Sequence, residues 1–186
     1  MSALRPAVFL DRDGTLMEEV NYCSDPALVR VFPCTGDALR ELNCNGFLCV
    51  IITNQAGIGR GYFTETQYQA VQAELIRQID GGAAPSLVAA TYFCPDAPST
   101  PSARRKPEPG MVLEAARDLG IDLARSWFVG DKRADVECGQ RAGTRTVLVE
   151  TGYGCQEVAA GVSPNFIAKD IVAAVALILQ NKDASF

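Results

Sequence analysis

Ala7-Val8-Phe9-Leu10-Asp11-Arg12-Asp13-Gly14-Thr15-Leu16 is a short apolar run that ends in two carboxylates one residue apart. The run has the character of a buried strand, and the acids fall where that strand emerges into solvent. In an extended chain, residues two apart point to the same side, so Asp11 and Asp13 are expected to enter one cavity. Gly14 lets the backbone turn away behind them. Like charges that close need a cation or a shared proton. A hard divalent metal with oxygen ligands, such as Mg2+, meets that need.

Outward from this strand the pattern repeats. Segments rich in Val, Ile and Phe predict strands at 7–11, 47–53, 87–93, 127–130 and 145–150, with a weaker one at 165–168. Helix-period segments lie between them. One covers 36–45 and closes at Gly46, which suits a left-handed terminal position. Thr64-Glu65-Thr66-Gln67 has the capping-box spacing and opens a helix running to Ile79. Pro109 fits the first turn of a helix through Met111 to Leu119, another runs from about Ala134 to Gly143, and the last covers Ile171 to Gln180. Alternation of this kind predicts the α/β class: a Rossmann-like three-layer sandwich with a central parallel sheet and no separate cap domain. The expected organisation is one domain over residues 1–186. Ligands of open parallel sheets bind beyond the carboxyl ends of the strands. The irregular segments 18–33 and 94–109 fall on that edge and are the candidate lids.

Composition narrows the chemistry. With 186 residues and 48% hydrophobic side chains, the chain can bury a full core without a metal or disulfide. Its seven cysteines are odd in number and scattered, which favours a reducing compartment. No signal pattern opens the chain, and the apolar stretch at 171–179 is too short to span a bilayer. A cytoplasmic protein with no membrane partner is expected, and a monomer. The net charge of −5 argues against nucleic acid as a partner. It does not attract an anionic substrate either, so a metal and a few local cations must dominate the site. Histidine is absent, which removes Ser-His and Cys-His nucleophilic schemes and His-ligated zinc.

Further strand ends carry polar groups. The second strand finishes Thr53-Asn54, a hydroxyl and an amide at the same edge as Asp11, and the Thr can donate to a phosphoryl oxygen. Gly57-Ile58-Gly59-Arg60-Gly61 has the wrong glycine spacing for a dinucleotide fingerprint and no P-loop follows, so it is expected to be a flexible turn with Arg60 a solvated charge. Arg104-Arg105-Lys106 precede a helix start, where the dipole disfavours cations. A bound phosphate would retain them there. The fourth strand runs into Gly130-Asp131-Lys132, and its carboxylate can add an oxygen ligand to a metal held by Asp11. Asp135, one turn into the next helix, is open to three roles: a water-mediated ligand, an orienter of Lys132, or a plain helix-start acid.

Taken in order, Phe9-Leu10-Asp11-Arg12-Asp13-Gly14-Thr15, Thr53-Asn54-Gln55-Ala56-Gly57-Ile58, Arg105-Lys106-Pro107-Glu108-Pro109-Gly110-Met111 and Val129-Gly130-Asp131-Lys132 resemble the haloacid dehalogenase superfamily over nearly the whole chain. The resemblance is to its capless branch, which holds the bacterial D-glycero-D-manno-heptose 1,7-bisphosphate phosphatases and the histidinol-phosphate phosphatases. It implies Asp11 as nucleophile, Asp13 as acid/base, Thr53 and Lys106 as phosphoryl binders, and Arg105, Asn54 and Lys132 as substrate contacts. Asp11, Asp13 and Asp131 are the implied ligands of Mg2+. It further implies a small phosphorylated sugar or alcohol as substrate, the heptose bisphosphate first and histidinol phosphate or another sugar phosphate as alternatives. A non-catalytic phosphate or metal binder is the reading from another class, and retention of both Asp11 and Asp13 speaks against it. One departure stands out. Branch members often carry a zinc loop, C-x-H and then C-x-C before R-K-P, whose positions here are Cys94, Asp96, Ser102 and Arg104. Only the first keeps its ligand, so no structural zinc is expected.

Overall fold

A computed structural model describes residues 4–182. Six strands, β1 (Ala7–Leu10), β2 (Leu48–Asn54), β3 (Ala90–Cys94), β4 (Trp127–Gly130), β5 (Arg145–Val149) and β6 (Phe166–Ala168), form one sheet in the order β3-β2-β1-β4-β5-β6. Every pairing is parallel. Their near-continuous apolar sequences follow from burial on both faces. The chain works outward from β1 to β3, then returns to β4 and works outward the other way. The crevice between β1 and β4 is therefore the topological switch point, where this architecture binds ligands.

Seven α-helices among the described residues complete the layers: α1 (Thr35–Cys44), α2 (Ala56–Gly59), α3 (Glu65–Asp80), α4 (Gly110–Leu119), α5 (Arg133–Ala142), α6 (Gly154–Ala159) and α7 (Ile171–Gln180). Strand alternation sorts side chains between the two faces. Val8, Leu10, Ile51 and Val129 pack with Leu39 and Leu42 of α1, Val71 and Leu75 of α3, and Ala174 and Ile178 of α7. Ala7, Phe9, Ile52 and Phe128 pack on the opposite side with Met111 and Ala115 of α4 and Cys138 of α5. Each fully buried Val, Leu, Ile, Phe or Met among them contributes about 1.5–3 kcal/mol.

The predicted elements recur within a few residues of their expected ends. Thr64 makes the capping box with Gln67, and Gly81, Gly120 and Gly143 close α3, α4 and α5 in left-handed geometry. Two short helices were not expected. The segment anticipated as a flexible turn at 57–61 is instead opened by α2, with the Gly59 amide donating to the Pro95 carbonyl at 2.9 Å. Likewise α6 falls where no helix was read.

Of the two candidate lids, 18–33 is packed down. Met17 bridges Val31, the Gln78 side chain of α3 bonds the backbone of Val29 and Val31, and Cys23 and Val29 are buried. Among the described residues no helix is long and apolar enough to cross a membrane.

Candidate active site

The ends of β1, β2 and β4 and the loop after β3 converge at the switch point. Asp11 follows β1 directly, and its amide donates to Val129 of β4 at 2.9 Å. Lys106 reaches in from the loop 94–109 and is 4% exposed. Its ammonium donates to Asp11 Oδ1 at 2.6 Å and to the Ile52 carbonyl at 2.8 Å, and it pairs with Asp135 at 2.6 Å. Burial alone would lower the Lys106 pKa, but Asp11 and Asp135 outweigh it and hold the group charged. Asn54 fixes the backbone beneath, its amide accepting from the Lys106 N–H at 3.1 Å and donating to the Lys106 carbonyl at 3.0 Å. An Asn54 amide so engaged positions Lys106.

Carboxylate oxygens of Asp11, Asp131 and Asp135 lie within 4.8 Å of one another, all on buried residues. Asp131 Oδ2 accepts from the Tyr153 amide at 2.9 Å, while Oδ1 is buried and without a partner among the described residues. Backbone approaches it so closely at Gly14 and Gly152 that a Cβ on either would collide with the carboxylate. Burial first, and then Asp11 and Asp135, push Asp131 up to about 8. Burial also raises Asp135, to about 6, against the pull of Lys106. An orphaned buried oxygen among all-oxygen donors fits a hard divalent cation such as Mg2+.

The expectation that Asp13 joins this group is not met by its side chain. The chain does not stay extended past Asp11, because the Arg12 carbonyl accepts from the amides of Thr15, Leu16 and Met17 and turns the backbone. The Asp13 carboxylate instead faces the Arg12 guanidinium, from which it accepts at 3.0 Å on each oxygen, and Gln55, whose amide donates to Oδ2 at 3.0 Å. Gln55 also donates to Thr53 Oγ1 at 2.8 Å and accepts from Arg12 at 3.2 Å. Asp135 takes the place among the carboxylates that Asp13 does not fill, and its Oδ2 accepts the Lys132 amide at 3.0 Å.

Two spaces meet here. A cavity of about 60 Å³ is lined by Asp11, Thr53, Lys106 and Asp135, and it opens beside a pocket of about 250 Å³ lined by Glu19, Asn21, Tyr22, Gln55 and Tyr153. Asp13, Asn54 and Lys132 border both. Lys132 pairs with Glu19 at 2.8 Å and lies 4.7 Å from the Tyr153 ring centroid. Burial would lower its pKa, but Asp11, Asp131 and Glu19 raise it. Arg105 borders neither space, and its guanidinium donates to the Asp96 carbonyl at 3.0 Å. Arg12, Gln55, Glu19 and Tyr153 are site residues that sequence reasoning did not assign. Arg12 stood in view between the two acids, whereas nothing in the sequence marked Tyr153.

At the positions of the zinc loop, Cys94 lies 3.4 Å from Asp96 and 3.7 Å from Ser102 through its sulfur, and burial raises its thiol pKa. Arg104 pairs with Glu114 and donates to the Phe93 carbonyl at 3.0 Å. One thiol, one carboxylate, one hydroxyl and one guanidinium therefore stand where a zinc loop carries its ligands.

Known proteins share this architecture. A family model described as HAD-hydrolase-like matches residues 103–174. A D-glycero-D-manno-heptose-1,7-bisphosphate 7-phosphatase of Thermosynechococcus vestitus is 37% identical, over 92% of this chain and 94% of its own. The D-glycero-beta-D-manno-heptose-1,7-bisphosphate 7-phosphatase of Escherichia coli K12 is 41% identical, over 79% and 80%. The D,D-heptose 1,7-bisphosphate phosphatase of B. bronchiseptica, solved with magnesium and phosphate, superposes with a TM-score of 0.87 at 30% identity, covering 95% of this chain and 99% of that one. By this likeness of sequence and fold, the chain belongs to the haloacid dehalogenase-like hydrolases, in the branch of the D-glycero-D-manno-heptose 1,7-bisphosphate phosphatases.

Proposed function

We propose that the chain is a Mg2+-dependent phosphatase that removes the 7-phosphate of D-glycero-D-manno-heptose 1,7-bisphosphate, acting as a cytoplasmic monomer. The observation that carries this reading is the pair of adjoining spaces. The smaller suits a phosphoryl group, the larger a sugar, and Asp13 stands at their boundary, where the scissile bond would lie.

Phosphate monoesters resist hydrolysis so strongly that enzymes accelerate it by up to about 10²¹-fold, while one acid or base contributes about 10²–10⁴. Several groups must act together. Asp11 attacks phosphorus, the bond to the sugar oxygen breaks, and its electron pair leaves with that oxygen. Asp13 delivers a proton there, and an aspartyl-phosphate remains on Asp11. Asp13, now a carboxylate, takes a proton from water. That water attacks phosphorus, the bond to Asp11 breaks, and phosphate leaves. Lys106 and Thr53 stabilise the charge on the transferring oxygens throughout. Mg2+ bound by Asp11 and Asp131, with Asp135 beside them, supplies further charge neutralisation. Asp13 also separates this chemistry from dehalogenation, since a halide leaves without a proton.

Phosphate release from the heptose bisphosphate and from histidinol phosphate, with Mg2+, tests the reading. The heptose substrate is expected to win in kcat/KM, with phosphorus NMR showing the 1-phosphate retained. Asp11→Asn should fold and be inactive, because Lys106 keeps Asp135 as a partner. Turnover by that variant, or preference for histidinol phosphate, would sink the proposal.

A further inference from the structure

Arg12 is a buried cation that the mechanism above does not use. It is 1% exposed, and its Nη1 has no partner among the described residues. Burying a guanidinium costs several kcal/mol, and an apolar replacement of a buried pair is often neutral or stabilising. Stability alone is therefore a weak reason to place an arginine here. Among the described residues its side-chain hydrogen bonds go to two groups: both oxygens of Asp13, and the Gln55 carbonyl oxygen. The contact with Gln55 also fixes which way that amide faces, so its NH2 must point to Asp13 Oδ2 and Thr53. The Tyr68 ring, 5.5 Å from the guanidinium carbon, packs against it from another direction.

These contacts count out the acceptor positions of Asp13. A carboxylate offers about four lone-pair sites. Oδ2 accepts from Arg12 Nε and Gln55 Nε2 and is filled, whereas Oδ1 accepts from Arg12 Nη2 alone. One site on Oδ1 is left, on a side chain that is 16% exposed at the boundary of the two spaces.

We propose that Arg12, with Gln55, is the positioning residue of the general acid: it locks the Asp13 carboxyl so that its proton is carried on Oδ1 and delivered to the leaving sugar oxygen. The inference rests on the reading of Asp13 as acid. In the step concerned, the Oδ1–H bond breaks, an O–H bond forms on the departing oxygen, and that oxygen keeps the electron pair of the broken P–O bond.

Dependence on the leaving group separates this role from a structural one. The oxygen of 4-nitrophenyl phosphate departs without a proton, while phenyl phosphate and the heptose bisphosphate need one. The quantity read is kcat/KM, which reports steps up to departure of the leaving group and excludes the later hydrolysis, where Asp13 acts on every substrate alike. Arg12→Lys keeps a charge but loses the planar fork. It should raise the ratio of kcat/KM for 4-nitrophenyl phosphate over that for each proton-requiring substrate by about 10-fold or more, part of the 10²–10⁴ that an acid supplies. Gln55→Met should move the ratio the same way by a smaller factor. An equal fall on all substrates, or none, overturns the positioning role. If Arg12→Lys fails to fold, Gln55→Met alone decides, an unchanged ratio rejecting the proposal. Asp13→Asn distinguishes the two levels of inference. A raised ratio there with an unchanged ratio in the Arg12 and Gln55 variants rejects only the positioning role. An unchanged ratio in Asp13→Asn rejects the acid itself.

Discussion

Asp131 is a carboxylate whose burial leaves one oxygen without a partner, and its proton reports that cost. Burial, then Asp11 and Asp135, push it up to about 8, while an unfolded Asp titrates near about 3.9. Without metal, the folded chain therefore holds a proton over a range where the unfolded chain has released it. A raised folded pKa means that stability falls as pH rises between the two values and levels off above the upper one. Asp135, raised to about 6, acts with the same sign. The melting temperature of the EDTA-treated chain should accordingly drop as pH rises towards about 8, in keeping with the Asp131 shift. Asp131→Asn should flatten most of that slope, and a melting temperature that instead rises with pH would refute the account. At this scale the sequence was legible where a side chain's place follows from a strand end. Asp11, Thr53 and Asp131 meet because β1, β2 and β4 are neighbours. It was not legible where a turn decides. Three amides gathered on the Arg12 carbonyl redirect Asp13, and strand periodicity carries no sign of that.

Among the elements, the loop 94–109 sets the division of labour between its cations. Arg104 is tied to Glu114, Lys106 is driven inward onto Asp11 and Asp135, and Arg105 is held at the loop's own backbone by Asp96. Adjacent residues thus diverge, as an irregular segment allows. Lys106→Ala should depress kcat on every phosphate ester, because the charge it supplies belongs to the transferring group. Arg105 borders neither space and meets a second phosphate only by giving up the Asp96 carbonyl; if it does so on binding, Arg105→Ala should mainly raise KM for a bisphosphate and barely affect a small aryl phosphate. Steady-state kinetics on both substrates checks this, and a uniform loss in Arg105→Ala would hand the second phosphate to another cation. Lys132, which borders both spaces, is the first to test. The long elements were readable because apolar spacing, the Thr64 cap and the terminal glycines all agree. The helices α2 and α6 were not, being four and six residues long and made of Gly-containing sequence without caps.

The fold as a whole draws its site from segments far apart in the chain, and does so with an excess of negative charge. Asp11, Asp13, Glu19, Asp131 and Asp135 face Lys106, Lys132 and Arg12, within a chain of net charge −5. With all of these ionised, two acids are in excess, the charge that one divalent cation offsets in exchange for the proton that Asp131 otherwise holds. Such a cation binds the folded chain alone, because only the sheet brings Asp11 and Asp131 together, so it must stabilise the fold by mass action. At 100 times its Kd the gain is about 2.7 kcal/mol, or about 5–10 °C in Tm for a chain of this size. Mg2+ should therefore raise Tm with its concentration and restore the activity that EDTA removes. Zinc should do neither, since Asp96, Ser102 and Arg104 stand where soft ligands would be needed. The Cys94 loop is held by its own hydrogen bonds, and stripping the protein of transition metals should leave its melting unchanged. Elemental analysis finding about one zinc tightly held per chain, lost together with stability on chelation, would show that the loop is a metal site after all.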